Sequence, residues 1–410
     1  CGGQPGPVVE SVEPGKLPAR APIRLRAARV RRVLGIALSA DAVAEMFGRL
    51  NLDVVRDGED FIVTPPSYRF DLEIEEDLIE EIARLHGYDN IPVLAPRGPI
   101  SMLPRPEARR DAMFVRRLVA GREFQEVINF AFVEEAWEKD FAGNTDPVRL
   151  ANPIASQMSV MRSTLIGGLV ANLATNRKRQ TSRVRVFEIG RCFNRSPSGQ
   201  PVDGFHQPIR LAALAGGLAR PEQWGEAGRS VDFFDLKADL EALLFPRVAE
   251  FERAVHPALH PGRSAQIVLD GKCIGFIGEL HPVWVQRYEL GAAPVVFEIE
   301  LEALLETVTP AYREVSRFPA VTRDLALVVD QDASAGQLLK GLQSVAPAIV
   351  QRIELFDQYQ GKGIEQNRKS LAFRVVMQET QKTLEDAEVD AVMIALTRHA
   401  EENLGAKLRA

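Results

Sequence analysis

At 410 residues, 46% hydrophobic and 26% charged, the chain is too long for one ordinary core and reads as a globular protein of two to four domains. A formal net charge of −6 excludes nucleic-acid binding through bulk positive charge, though not through a local basic surface. Cys1, Cys192 and Cys273 lie far apart with no C-x-x-C pair, which excludes a thiolate zinc site and a disulfide framework and fits a reducing compartment; no apolar run reaches membrane-spanning length.

The chain opens at Cys1-Gly-Gly-Gln-Pro-Gly-Pro rather than at methionine, and residues 1–20 read as a linker within a longer protein. In residues 21–92, alternation over 23–28 predicts a strand. Ser39 caps a helix with Val43, Met46, Phe47 and Leu50 on one face. Asp57-Gly58, between apolar runs at 52–55 and 61–63, predicts a hairpin, and a second helix runs over 71–86 to a stop at Gly87. Residues 93–308 mix helical patterns at 109–121, 164–177 and 236–244 with alternating strands at 184–189, 209–215 and 265–277. The last is broken by an Asp270-Gly271 turn, and the succession predicts an antiparallel α+β domain. Residues 309–410 give a strand at 324–329, a helix at 335–345, strands at 349–356 and 371–378, a helix at 385–403 and a strand at 407–409. This is the ferredoxin-like βαββαβ order. The chain is thus read as α+β and multidomain.

The densest chemical signal is Asp71-Leu-Glu-Ile-Glu-Glu-Asp77-Leu-Ile-Glu80-Glu81. At about 100° per residue, Ile74, Leu78, Ile82 and Leu85 form one apolar stripe, with Asp77, Glu80 and Glu81 on an arc beside it. Glu81 falls nearest the stripe, and a carboxylate there needs a partner. The helix dipole relieves Asp71 and Glu73 only within the first turn. Two readings follow from these residues alone. A solvated acidic face is the commoner case; a hydrated hard divalent cation would relieve the same repulsion.

Longer stretches carry a resemblance. Pro66-Ser-Tyr-Arg-Phe-Asp71, continuing through Asp77, Glu80 and Glu81 to Ile91-Pro92, resembles a module of the phenylalanyl-tRNA synthetase beta-subunit family. Ala151-Asn-Pro-Ile-Ala-Ser-Gln-Met-Ser-Val-Met-Arg162, followed by Arg183-Val-Arg-Val-Phe-Glu188-Ile-Gly190-Arg191, resembles that family's synthetase-like core. Leu355-Phe-Asp357-Gln-Tyr359-Gln-Gly-Lys-Gly, Lys369-Ser-Leu-Ala-Phe and Lys382-Thr-Leu-Glu resemble its anticodon-binding domain. The order agrees, and the stretches span nearly the whole chain.

The resemblance implies a winged-helix-like acidic module at 21–92, a degenerate class II synthetase-like antiparallel sheet domain at 93–308 and a ferredoxin-fold anticodon-binding domain at 309–410. Residues 1–20 would be the tail of an editing domain that lies before Cys1. Asp71, Asp77, Glu80 and Glu81 match the positions that hold Mg2+ at the contact with an alpha subunit, which moves the metal reading ahead of the solvated face. The family implies a cytoplasmic assembly of two alpha and two beta subunits. It charges tRNA with phenylalanine, and the alpha subunit binds the ATP.

The middle region lacks the marks of catalysis. Class II synthetases position ATP with arginines in an Arg-x-Glu strand and after a glycine-rich strand, and neither pattern stands here in the right setting. Gly275-Phe-Ile-Gly278 has no following arginine and no Gly-Lys-Ser/Thr ending. Arg162, Arg177, Arg179 and Arg183 are candidates, but surface or interface arginines are commoner. His256, His260 and His281 form no helical metal pair. The isolated chain is therefore expected to be inactive.

In the C-terminal region, single-stranded bases would be read by stacking and edge hydrogen bonds. Tyr359 in a glycine-bearing loop is the stacking candidate, with Phe356 assigned to the core. Asp357 and Ser370 are edge partners, and Lys362, Lys369, Arg323 and Lys382 are phosphate partners. The resemblance places Asp357, Tyr359 and Ser370 at anticodon-contacting positions. Two rivals remain: a free-standing RNA-binding or winged-helix regulatory protein, and a magnesium-dependent phosphotransferase built on Asp71, Asp77, Glu80 and Glu81.

Overall fold

Buried Ile23 and Leu25 flank exposed Arg24 in the first strand, β1 (Ile23–Leu25). A short helix, α1 (Ala27–Leu34), follows and ends on Gly35 in the left-handed region, where a side chain is disfavoured. Sequence periodicity misses α1 because it buries a single residue, Val30, among arginines. Ser39 accepts the Ala42 N–H and caps α2 (Ala40–Arg49). The hairpin β2 (Asp53–Asp57) and β3 (Asp60–Thr64) turns at Gly58, and α3 (Glu75–His86) follows. The strands pair in the order β1-β3-β2, all antiparallel, over a core that includes Phe47, Phe61, Leu78 and Ile82.

In this computed structural model all residues are described except 1, 96, 97, 99, 100, 103–105, 313 and 410, so Cys1 lies outside the described residues. Contacts divide the chain into residues 1–103 and 104–410.

The second unit begins with α4 (Ala112–Gly121), β4 (Gln125–Glu126), α5 (Ile166–Lys178), β5 (Arg183–Arg191) and β6 (Ile209–Gly217). It continues through α6 (Phe233–Leu244), β7 (Glu250–Arg253), β8 (Leu259–Leu269), β9 (Lys272–Leu280) and β10 (Val295–Glu300). These strands form one seven-stranded sheet in the order β7-β8-β9-β10-β6-β5-β4, antiparallel except where β4 meets β5. Both faces are covered. Leu211, Ala213, Phe187 and Phe297 join Val119 of α4 and Leu240 of α6 on one side. Ala212, Leu214, Val186 and Val296 join Leu169 and Leu173 of α5 on the other. The continuous run Leu211-Ala-Ala-Leu-Ala215 is what a strand buried on two faces requires.

The last hundred residues fold as β11 (Val321–Asp330), α7 (Ala335–Val345), β12 (Val350–Tyr359), β13 (Arg368–Met377), α8 (Asp386–Asn403) and β14 (Lys407–Leu408). The sheet order is β12-β13-β11-β14, antiparallel throughout. This is the expected βαββαβ arrangement. Leu325, Leu327, Leu371, Phe373 and Val375 form its core with Leu342 and Leu396 from the two helices, which leaves the opposite sheet face open.

Candidate nucleic-acid face and acidic turn

The acidic stretch is not one helix. The Asp77 carboxylate accepts the N–H groups of Glu73 (2.7 Å) and Ile74 (2.8 Å), so α3 starts at Glu75 and Asp71 falls in the turn before it. Acidic residues favour both a helix and its first turn, and only this cap separates the two. Glu81 is 7% exposed, as its place beside the apolar stripe requires, and it has partners. Arg84 meets it at 2.5 Å, and Arg69 bridges it at 3.0 Å to Asp71 at 2.6 Å. Hydrogen bonding to Arg69 holds the Asp71 carboxyl down at about 2. For Glu81, burial opposes ionisation, but Arg84 and Arg69 outweigh it and leave the carboxyl below its ordinary value.

The structure therefore does not gather Asp71, Asp77, Glu80 and Glu81 around a common point. Asp77 caps its own helix, Glu80 is exposed without a partner among the described residues, and Arg69 stands between the other two. Among the described residues no group of three or more His, Cys, Asp or Glu side chains is placed to hold a metal ion. Hard carboxylate oxygens are what magnesium takes, yet as arranged here the four do not fit around one ion.

Of the arginines singled out by sequence in the second unit, Arg162 and Arg183 pair with Glu188 and Glu123, while Nε and one terminal nitrogen of Arg177 are buried without a hydrogen-bond partner among the described residues. Arg162 Nη1 donates to Glu188 at 2.6 Å, with the two side chains 6% and 2% exposed. Asn129 donates to the same carboxylate at 2.8 Å, and Arg162 Nε donates to the Arg191 carbonyl at 3.2 Å. Two strands away, Glu298 takes Arg210 (2.7 Å), the Thr164 hydroxyl (2.9 Å) and the Leu165 N–H (2.6 Å). This polar layer is internally satisfied. His256 stacks on Phe276 nearby, and burial lowers its imidazole pKa.

The RNA candidates divide by the pleat of β13. Leu371, Phe373 and Val375 point to the helices, so Ser370, Ala372 and Arg374 belong to the open face. Tyr359 pairs across with Ser370 and Asp357 with Ala372, which brings those three candidates to the open face together. Tyr359 is 37% exposed; its hydroxyl donates to the Lys362 carbonyl (3.1 Å), and Arg409 lies 5.0 Å over its ring. Asp357 is exposed, while Ser370 is 2% exposed and presents little to a ligand. Lys362 is exposed beside Tyr359. Lys369 pairs across with buried Val329 and so belongs to the other side, where burial, then Arg253, lowers its ammonium pKa.

Phe356 is not core. A register shift between Leu355 and Asp357 leaves it 48% exposed, with Arg374 lying 4.5 Å over its ring and Asp324 holding Arg374 through two bonds of 3.0 and 3.1 Å. Arg374 and Arg409 are face residues that sequence reading passes over. The alternation of β13 signals the first; the second depends on β14 pairing beside β11. Arg323 and Lys382 are tied to Asp386 and Glu388.

Comparison with known proteins follows this division. Residues 91–301 match the family described as phenylalanyl tRNA synthetase beta chain CLM domain, residues 316–409 the ferredoxin-fold anticodon binding domain, and residues 23–88 the tRNA synthetase B5 domain. The whole chain is 63% identical over 409 residues to a phenylalanine–tRNA ligase beta subunit of Aromatoleum aromaticum. It is 58% identical over 413 residues to that of Dechloromonas aromatica and 52% over 423 residues to that of Ralstonia nicotianae. In each case it covers 52% of the relative, so the chain spans about half the length of the curated relatives it matches.

Proposed function

The chain belongs to the phenylalanyl-tRNA synthetase beta-chain family, and on that premise we propose that it is the non-catalytic beta-subunit part of a phenylalanine–tRNA ligase. It supports ATP-dependent charging of tRNA through contacts with an alpha subunit and through anticodon binding. The assembly is cytoplasmic, with two alpha and two beta subunits; the alpha subunit binds the ATP, and magnesium belongs at the contact between this chain and the alpha subunit. Residues 21–92 act as a winged-helix-like module, 93–308 as a degenerate class II synthetase-like domain and 309–410 as the anticodon reader. A free-standing regulator is not favoured, since all three regions match synthetase families.

A packing role for the middle domain is supported by the closed layer of Arg162, Glu188, Arg210 and Glu298, whose charges answer one another. A partner surface is supported by Ile128, Phe130 and Ile154, which are 92%, 70% and 89% exposed in segments flanking the short strand Val160–Met161. The four carboxylates Asp71, Asp77, Glu80 and Glu81 remain the donor set this reading assigns to magnesium. As arranged here they do not converge.

One observation carries the anticodon reading: the open sheet face presents two half-exposed rings, Tyr359 and Phe356, each with a guanidinium over it. A ring held by a hydroxyl hydrogen bond and an arginine is a stacking platform with little entropy left to lose. Losing a stacked base typically costs about 1–3 kcal/mol, so Tyr359→Ala in the assembled alpha–beta enzyme should weaken tRNA binding by about tenfold or more. Lys362→Ala should instead flatten the salt dependence for any tRNA. Unchanged tRNA affinity and charging in Tyr359→Ala would make Tyr359 a packing residue.

A further inference from the structure

A cleft of about 880 Å3 opens in the second unit between the end of α4, the start of β5, the first half of α6 and the loop 218–230. Five arginines and four carboxylates line it. At its base the Arg185 side chain is 7% exposed, lies 4.1 Å over Phe124 and pairs with Asp239. Arg122 engages the second oxygen of Asp239 through Nε at 2.5 Å. One carboxylate is thus shared by two guanidinium groups, and neither terminal nitrogen of Arg122 has a hydrogen-bond partner among the described residues. Arg183 meets Glu123 through Nη2 at 2.5 Å, while its Nε and that of Arg185 are buried without a partner. Donors exceed acceptors at this end of the cleft, the condition under which planar guanidinium groups take a multi-oxygen anion.

The mouth of the cleft has a different chemistry. Phe234 lines it and is 71% exposed, and Trp224, on the loop that also carries Arg220, is wholly exposed. Rings left in water beside guanidinium groups are surfaces on which a nucleobase stacks. We propose that this cleft binds a nucleotide, its phosphate on Arg122, Arg183 and Arg220, the last exchanging its 2.9 Å pair with Glu226 for the phosphate, and its base on Phe234, whether the nucleotide is free or part of an RNA strand. The site is separate from the open face of the C-terminal sheet and does not depend on the anticodon reading.

The test uses the full chain carrying Tyr359→Ala, so that the C-terminal face contributes little, with ATP and a short fluorescent single-stranded RNA as the two probes. Phe234→Ala and Arg220→Ala change exposed side chains, and circular dichroism checks that they fold. Phe234→Ala should weaken binding of the true ligand about tenfold. For an RNA ligand, Arg220→Ala should reduce the salt slope by about 0.7. Loss of ATP binding identifies a free nucleotide, and loss of RNA binding alone identifies a strand. If the parent binds neither probe, or folded Phe234→Ala and Arg220→Ala bind both as tightly as the parent, the proposal is overturned.

Discussion

Arg162→Ala tests whether the polar layer of the seven-stranded sheet is sealed. The substitution removes the 2.6 Å bond to a carboxylate that is 2% exposed and leaves Glu188 with Asn129 as its remaining side-chain donor. Breaking one partner from a buried pair costs about 3–5 kcal/mol because the survivor stays charged and desolvated. The two Asn129 contacts persist, at 2.8 and 3.4 Å, which places the loss at the lower end, about 3 kcal/mol. For the unit spanning 104–410 that is a fall in melting temperature of roughly 5 °C, read by calorimetry. Gly190→Ala should act in the same direction, since a Cβ there collides with the Arg162 guanidinium. Combining Arg162→Met with Glu188→Leu should recover most of the loss, because an apolar pair of similar volume strands no charge. A loss below about 1 kcal/mol for Arg162→Ala would mean that water reaches the pair, and the sealed-layer argument would fail.

Three further outcomes follow from the charges. Arg69→Ala removes the cation shared by Asp71 and Glu81, so added Mg2+ should raise the melting temperature of this variant more than that of the parent; equal responses would refute the idea that Arg69 occupies the cation's place. His256 is lowered from 6.5 by burial, so its stabilising contribution is full above pH 6.5 and lost as pH falls through the lower folded value. The fall in melting temperature from about pH 7.5 to about pH 5.5 should therefore be smaller in His256→Gln, and identical falls would refute the assignment. On the C-terminal face few cations are left uncompensated, so the slope of log K against log salt that this domain adds to tRNA binding should be near −2, about 0.7 per phosphate contact; a contribution steeper than about −4 would contradict a stacking-dominated surface.

How far the sequence could be read depended on whether a feature is local. Ser39 capping α2, the Asp270-Gly271 turn and a strand across 371–377 each need only neighbouring residues, and each is present. The start of α3 and the environment of Phe356 differ from what the sequence predicts because each depends on one specific interaction. Asp77 folds back on the backbone N–H of Ile74 in the first case; a register shift rotates the side chain outward in the second. The acidic turn fails at longer range. Arg69 reaches both Asp71 and Glu81 through space, and no spacing rule in Asp71 to Glu81 contains an arginine that precedes it. Lys369 and Ser370, expected as a phosphate partner and an edge partner of the same RNA, lie on opposite sides of β13, because neighbouring residues of a strand face opposite ways.

The same charges explain how a chain of net charge −6 can meet RNA. On the C-terminal domain Arg374 is held by Asp324, Lys382 by Glu388 and Arg323 by Asp386, so most of the cations near the open face are already neutralised. Lys362, Lys407 and Arg409 have no carboxylate partner among the described residues, and one of these, Arg409, lies over Tyr359. A surface built this way gains little from long-range attraction, which any polyanion would share. It keeps what discriminates: rings at fixed positions, with guanidinium groups oriented by hydrogen bonds or by the ring beneath them. Binding of this kind selects an unstacked base over a duplex, because a base inside a helix has no free face to offer. Exposed rings on a nearly neutral face therefore suit an anticodon loop better than a phosphate backbone.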